Sequence, residues 1–340
     1  MYNARRKLCP FTLPRSISMV HVVLDELMLK TCRDKPFLLV NDSQKHIVIF
    51  SCRTNLDILR TMETVFVDGT FSYCTKFFKQ LFTVHGICNG HYVQLYYALL
   101  PNKTTESYEN FVDHLLEICP FTPSETVLDF KTAIHNALQK KWPDVTVVRC
   151  RFHLRQAWYR QIQHVGLQQK YQKMGSTTGE TVISNKGRWL RYVFGLTFLK
   201  PEDSLTSDLL SIRPTCEKLR TFTEYLLRNY IHADAKFPPS LWASCTASLK
   251  RTINACESFH SRFNDSFYKT HPDIFSFSKK LIQFQTDIYI GTQSLHMPKN
   301  AQNKYAASKR HIEDFSTQYT DSEISRLHFI KQTGYYMCPE

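Results

Sequence analysis

The chain's 340 residues can bury a full hydrophobic core, in one large domain or two modest ones. With 43% hydrophobic residues and only 10 glycines, the composition excludes long disordered or low-complexity stretches. Lys and Arg outnumber Asp and Glu by 43 to 30. That net +13 favours a polyanionic partner, because each cation that neutralises a phosphate releases counterions.

The 11 cysteines are scattered and none forms a C-x-x-C pair. The opening MYNARRKLCPFTLPRS lacks the apolar run of a secretory leader. No stretch approaches the roughly 18 apolar residues of a membrane span. These features predict a reduced, intracellular protein with no membrane partner, its cysteines filling core space.

Residues 1–60 read as an α/β lead-in: SISMVHVVLDELML has helical spacing, and PFLLVND and KHIVIFSC read as short strands. ETVFVDGTF is then a buried strand ending at Asp68-Gly69. KQLFTVHGIC and HYVQLYYALLP follow as strands joined by an Asn89-Gly90 hairpin turn. TTESYENFVDHLLEICP is an amphipathic helix with Thr105 as N-cap and Pro120 as its stop. SETVLDF is a strand, KTAIHNALQKKW a helix closed by Pro143, and VTVVRCRF a fifth strand. Three antiparallel strands followed by alternating helices and strands is the order of an RNase H-like core, and the hairpin disfavours an all-parallel sheet. Beyond it, LRQAWYRQIQHVGLQQKY, GRWLRYVFGLTFL, TCEKLRTFTEYLLRNYI and PSLWASCTASL all carry apolar residues at helical spacing. Asn254–Phe267 reads as a further helix, and the polar tail from Ile288 has no clear pattern.

The predicted fold is therefore α/β: an RNase H-like core, a mixed five-stranded sheet with flanking helices, interrupted by an all-α insertion before the last catalytic carboxylate. The expected boundaries are a lead-in over 1–60, the first part of the core over 61–165, the helical insertion over 166–250, the closing helix over 251–285, and a tail over 286–340.

Asp68 and Asp129 end strands that are neighbours in such a sheet. Two adjacent carboxylates repel and favour a divalent cation between them. Mg2+ (or Mn2+) prefers oxygen ligands, and a third carboxylate on a nearby helix would complete a two-ion site for in-line phosphoryl displacement. Glu257, in NACESFHSRFN, is the candidate. Singly, each residue has a plainer reading: Asp-Gly is usually a turn, Asp129 a helix cap, and Glu257 a solvated surface group. Their joint placement in this strand order shifts the balance.

VFVDGTF, then KQLFTVHG, then VQLYYALLPNKTTESYENF resembles the Mutator-like element (MULE) transposase domain. TVLDFKTAIHNAL resembles that family's second-aspartate block, VVRCRFHLRQAWYRQIQHVGLQQKY its Cys-x-x-His segment, and RTINACESFHSRFN the block holding its last glutamate. The blocks occur in family order over roughly residues 30–280. The resemblance implies a DDE-type DNA transposase: DNA-binding, nuclear, Mg2+-dependent and acting as a homo-oligomer on transposon ends and target DNA in recombination. The acidic triad falls on Asp68, Asp129 and Glu257. Cys150 and His153 match the Cys-x-x-His motif, and His153 would contact the scissile phosphate.

A zinc reading would need further ligands. His164, His260 and Cys256 exist, but without a second pair at ligand spacing, so Cys150 reads as a small buried hydrophobe. Arg149, Arg151, Arg155 and Arg160, with Lys250 and Arg251, either line a DNA channel or are solvated helix faces. Trp158, Tyr159, Trp189 and Trp242 read as core rather than as base-stacking platforms. Two departures favour an alternative, a domesticated, catalytically inactive DNA-binding or regulatory protein. Lys131 stands where family members often have an acidic residue, and adds positive charge beside the metal. No zinc-finger spacing precedes residue 64, so the expectation is a truncated copy, one exon product, or end recognition by another protein.

Overall fold

In the computed structural model, residues 12–88, 91–172, 174–175, 181–182, 184–204, 207–244, 254–294 and 303–337 are described. Contacts divide the chain into two units, Met1–Val147 with Ile253–Lys299 and Val148–Thr252 with Asn300–Glu340.

In the first unit, Ser16 caps α1 (Ile17–Leu27) by accepting from the Met19 N–H at 3.2 Å. Strands β1 (Leu38–Asp42) and β2 (Ile47–Phe50) and helix α2 (Arg53–Leu59) follow. Next come β3 (Thr64–Thr70), β4 (Gln80–Cys88), β5 (His91–Leu100), α3 (Thr105–Ile118), β6 (Glu125–Leu128), α4 (Thr132–Lys141) and β7 (Thr146–Arg149), whose last two residues are counted in the second unit. All seven strands form one sheet in the order β1-β2-β5-β4-β3-β6-β7. The first four pairings in that order are antiparallel, and β3 pairs parallel with β6.

The expected five strands are thus present but the sheet is larger. β2 pairs with β5 through Val48↔Leu99, Ile49↔Ala98 and Phe50↔Tyr97, so the lead-in belongs to the sheet. The reason is physical: the IVIF run of β2 is fully buried and covers an apolar edge that β5 would otherwise leave unpaired. Two local expectations also change. The cap of α3 is Thr104, not Thr105, its hydroxyl accepting from the Ser107 N–H at 3.3 Å. The hairpin pairing is seen up to Cys88↔His91, while the Asn89-Gly90 turn itself lies outside the described residues.

In the second unit, α5 (Arg151–His164) begins directly after β7, so VTVVRCRF is only half strand. The expected continuous helix breaks at Gly166, whose φ of +70° is a left-handed conformation that favours glycine, before the single turn α6 (Gln168–Tyr171). The expected all-α insertion then holds a two-stranded antiparallel pair, β8 (Met174–Gly175) and β9 (Thr181–Val182). Helices α7 (Asn185–Gly195), α8 (Ser207–Ser211) and α9 (Glu217–Leu226) follow. α9 continues as a π-helical turn over Leu227–Ile231. The helix expected over PSLWASCTASL is only a 3-10 turn at Pro239–Leu241, and residues 245–253 lie outside the described set.

The chain returns to the first unit with α10 (Asn254–Asp265) and α11 (Ile274–Ser294). The tail without a sequence pattern also holds helix: α12 (Asn303–Thr320) and α13 (Arg326–Thr333) belong to the second unit. There α13 packs on α7, where Gly195 lies against the Ile330 backbone.

The sheet of the first unit is covered on both faces. One face packs Val65, Val67, Phe82 and Val84 against Phe111 and Leu115 of α3 and Ile134 and Leu138 of α4. The other packs Leu81, Tyr97 and Leu99 against α1, Phe259 and Phe263 of α10, and Phe277 and Leu281 of α11. Among the described residues no helix is long and apolar enough to cross a membrane.

Candidate metal centre

Strand alternation decides where Asp68 points. Val65 and Val67 face the α3/α4 side, so Asp68 faces the side that α10 covers, and it is only 4% exposed. Asp68-Gly69 is not a turn, contrary to the plainer reading of that dipeptide. Both residues are inside β3, paired as Asp68↔Thr83 and Gly69↔Phe82. A Cβ on residue 69 would lie 3.1 Å from Gln80 Oε1 and 3.2 Å from the Phe82 ring, a tight fit that those side chains would have to yield to.

The parallel pairing of β3 with β6 runs Thr64↔Glu125, Val65↔Thr126, Phe66↔Val127. Two residues further on, the same register sets Asp68 level with Asp129, which is 8% exposed. A carboxylate oxygen of each lies within 4.8 Å of the other. Two buried carboxylates this close fit one divalent cation bound to an oxygen of each, since oxygen ligands sit roughly 2.0–2.6 Å from Mg2+ or Ca2+.

Each carboxylate also has a protein partner. His260 Nδ1 lies 3.1 Å from Asp68 Oδ2. His260 Nε2 is 3.1 Å from the Thr83 hydroxyl, which lies 2.8 Å from His85 Nε2 and 3.2 Å from the Asp68 carbonyl oxygen. The Thr83 hydroxyl donates to the Asp68 carbonyl oxygen and accepts from His85 Nε2–H, while the tautomer of His260 sets which of its ring nitrogens carries the proton between Thr83 and Asp68. His85 Nδ1 then remains an acceptor with no hydrogen-bond partner among the described residues. Burial, with His260 close by, pushes the His85 pKa down to about 3 against the opposing pull of Asp68, so its ring is neutral. The β4–β5 ladder shifts register between Val84 and His85, a local irregularity of the kind that re-aims side chains.

Asp129 is gripped by Lys131, two residues on. The Lys131 backbone N–H donates to Oδ1 at 3.0 Å, and its ammonium is ion-paired with Oδ2. Burial disfavours the Lys131 ammonium, but Asp129 more than offsets this and its pKa stands above the ordinary lysine value. The ammonium also lies 4.8 Å from the centre of the Phe71 ring, with that of Lys103 at 3.3 Å from the same ring. Desolvation, then Lys131 and Lys79, hold the Lys103 pKa below its usual value.

Glu257 is half-buried in the first turn of α10, one helical turn before His260. Among the described residues, no cluster of ligating atoms within 4.8 Å joins Glu257 to both aspartates. α10 nonetheless packs against β3, and the group it brings to Asp68 is His260. The sequence reading weighed His260 only for zinc. Its i+3 spacing from Glu257, on one helix face, was the available signal. Thr83 and His85, two residues apart on β4 and so on one face, were missed altogether.

In the second unit, His153 is half-buried in the first turn of α5, and Cys150 is its fully buried N-cap. The arginines correct the expectation. Arg149 and Arg151 are buried, neither solvated nor free to line a channel. The Arg149 guanidinium lies 5.3 Å from the Phe237 ring centre. That of Arg151 lies 4.7 Å from the Phe198 ring centre and donates to the Ser244 carbonyl at 2.7 Å. Arg155 is half-buried and Arg160 exposed, while Lys250 and Arg251 lie outside the described residues. Trp158, Trp189 and Trp242 are core, the first packing edge-to-face on the third at 5.5 Å, and Tyr159 packs on Tyr171. His164 is exposed, Cys256 is buried, and His260 is committed to Asp68 and Thr83, so no zinc set forms from these residues.

Residues 64–157 match the model of the MULE transposase domain, a segment that holds Asp68, Asp129 and the Cys-x-x-His motif. No curated protein matches the chain. Among solved structures, the Drosophila P element transposase strand transfer complex is 10% identical over 99% of this chain and 87% of that chain. Its TM-score of 0.26 is too low to establish a shared fold.

Proposed function

We propose that this chain carries the catalytic centre of a DDE-type DNA transposase, with an RNase H-like core and Asp68, Asp129 and Glu257 as its metal-binding carboxylates. The observation that carries the reading is the pair of buried carboxylates, level on neighbouring parallel strands and within 4.8 Å, inside the segment that matches the MULE transposase domain. The β5-β4-β3-β6-β7 part of the sheet supports the core assignment, being three antiparallel strands followed by a parallel neighbour.

Two Mg2+ or Mn2+ ions, when bound, supply an activated nucleophile and neutralise charge on the leaving oxygen. Asp68 and Asp129 hold the position, and His260 fixes the rotamer of Asp68 from behind. Glu257 supplies the third carboxylate from the turn of α10 before His260. His153 keeps the role its motif implies, donating a hydrogen bond to the scissile phosphate. The substrate is DNA, at transposon ends and target sites in the nucleus, and the working form is a homo-oligomer.

The test is cleavage of a labelled DNA duplex by the purified protein with Mg2+ or Mn2+, beside Asp68→Asn and Glu257→Gln. Both variants should lose on the order of 10³-fold in rate, since several kcal/mol of charge stabilisation is lost at ~1.4 kcal/mol per decade. Undiminished metal-dependent cleavage by Asp68→Asn overturns the assignment. A second reading, a domesticated and catalytically inactive DNA-binding protein, is favoured by the ion pair between Lys131 and Asp129. Metal-independent DNA binding without cleavage by the unaltered protein supports it instead.

A further inference from the structure

Lys131 engages both oxygens of Asp129, one through its backbone N–H and one through its ammonium. Asp68 Oδ2 faces His260 and Asp129 Oδ2 carries the Lys131 ammonium, so a cation shared by the two carboxylates competes with that ammonium for Asp129. Two cations at one carboxylate repel each other, so each weakens the binding of the other. The ammonium has somewhere to go: the Lys131 side chain is 34% exposed and sits on a flexible four-carbon stem. Around it the local charge is unbalanced. The ammonium groups of Lys103 and Lys131 both lie on the Phe71 ring, and Lys79 and Lys103 are exposed. Lys103 is repelled by both Lys131 and Lys79, and a further anion in reach of Lys103 and Lys131 relieves that repulsion.

We propose that Lys131 is a displaceable counter-ion: it holds Asp129 until a phosphate of a nucleic-acid backbone binds beside Lys103 and draws the ammonium away, freeing Asp129 for a divalent cation. Nucleic acid and metal then bind with positive coupling, each raising affinity for the other by the same factor. This rests on the metal-centre reading above. It explains how a lysine can stand two residues from a metal-binding aspartate without abolishing the site.

The experiment is calorimetric titration of the full chain with Mn2+, with and without a short DNA duplex, for the unaltered protein, Lys131→Ala and Asp129→Asn. Lys140→Ala serves as a control for loss of one surface charge. In the unaltered protein the duplex should raise Mn2+ affinity by about tenfold or more. Lys131→Ala should bind Mn2+ about tenfold more tightly without DNA, and the duplex should add less than about twofold. Inorganic phosphate in place of the duplex, giving the same enhancement, would identify a free anion rather than the nucleic-acid backbone as the trigger and overturn that part. If Asp129→Asn abolishes Mn2+ binding while Lys131→Ala changes neither affinity nor DNA dependence, the counter-ion proposal fails and the metal centre stands. If Lys131→Ala binds Mn2+ more tightly but keeps the full DNA enhancement, the displacement by phosphate is refuted. If no variant binds Mn2+, both readings fall.

Discussion

Asp68 is nearly inaccessible, and a buried carboxylate is costly unless its oxygens are engaged. The His85–Thr83–His260 chain meets that need from one strand and one helix, and its far end, His85, makes the centre sensitive to acid. The folded pKa of His85 is about 3 against an ordinary value of 6.5. Between those values the unfolded chain binds a proton that the folded one does not. His85 therefore contributes stability that is fully present above about pH 6.5 and is lost progressively as pH falls toward 3. The lost contribution between pH 7 and pH 5 is ~2 kcal/mol. His85→Gln keeps an N–H for Thr83 and removes the titration. Urea denaturation at the two pH values should show a flatter dependence for the variant, and equal slopes in both proteins would refute the assignment.

The helices of the two units show which element features are decided by contacts that a sequence pattern does not carry. α7 and α13 meet at Gly195, where an added Cβ would strike the Ile330 carbonyl oxygen and lie 3.0 Å from its Cα, with no flexible side chain to yield. Gly195→Ala should cost about 1–3 kcal/mol, as overpacking of a close backbone contact does. Gly291, inside α11, has nothing within 4 Å of its would-be Cβ. Gly291→Ala should therefore stabilise by about 0.5–1 kcal/mol from helix propensity alone. Thermal melts of the two variants should move in opposite directions, and destabilisation by both would mean that α11 packs differently. The cap of α3 makes the same point. Thr104 and Thr105 are equivalent in sequence, but Asn102 Oδ1 accepts from both the N–H and the hydroxyl of Thr104 and holds it at the helix start.

The excess of 13 positive charges belongs to the chain as a whole, and it sets an expectation no single site does. Binding to a non-specific duplex should weaken linearly with log salt. Six or more phosphate contacts would cost about 10³-fold or more between 50 and 200 mM salt. Fluorescence anisotropy at several salt concentrations measures this, and a flat response would remove phosphate contact as the basis of any nucleic-acid binding. The cationic residues available for it are narrower than composition suggests. Arg149 and Arg151 are consumed by stacking and hydrogen bonding inside the second unit, whereas Lys79 and Lys103 of the first unit are exposed.

Short apolar runs and turn chemistry marked all seven strands of the main sheet, because runs such as VFV in VFVDGTF and LYYALL in VQLYYALL are a local signal. The joint placement of Asp68 and Asp129 in that strand order singled them out, and the order of the motif blocks gave the resemblance whose model residues 64–157 match. What sequence could not decide was every relation between distant segments. The pairing of β2 with β5 joins residues about fifty positions apart, and nothing in IVIF names its partner. The placing of His260, rather than Glu257, on Asp68 depends on how α10 rotates over β3. The burial of Arg149 and Arg151 likewise depends on Phe237 and Phe198, far along the chain. Periodicity reports which face of an element is buried; only packing determines what that face meets, because burial free energy depends on area and is indifferent to which apolar partner supplies it.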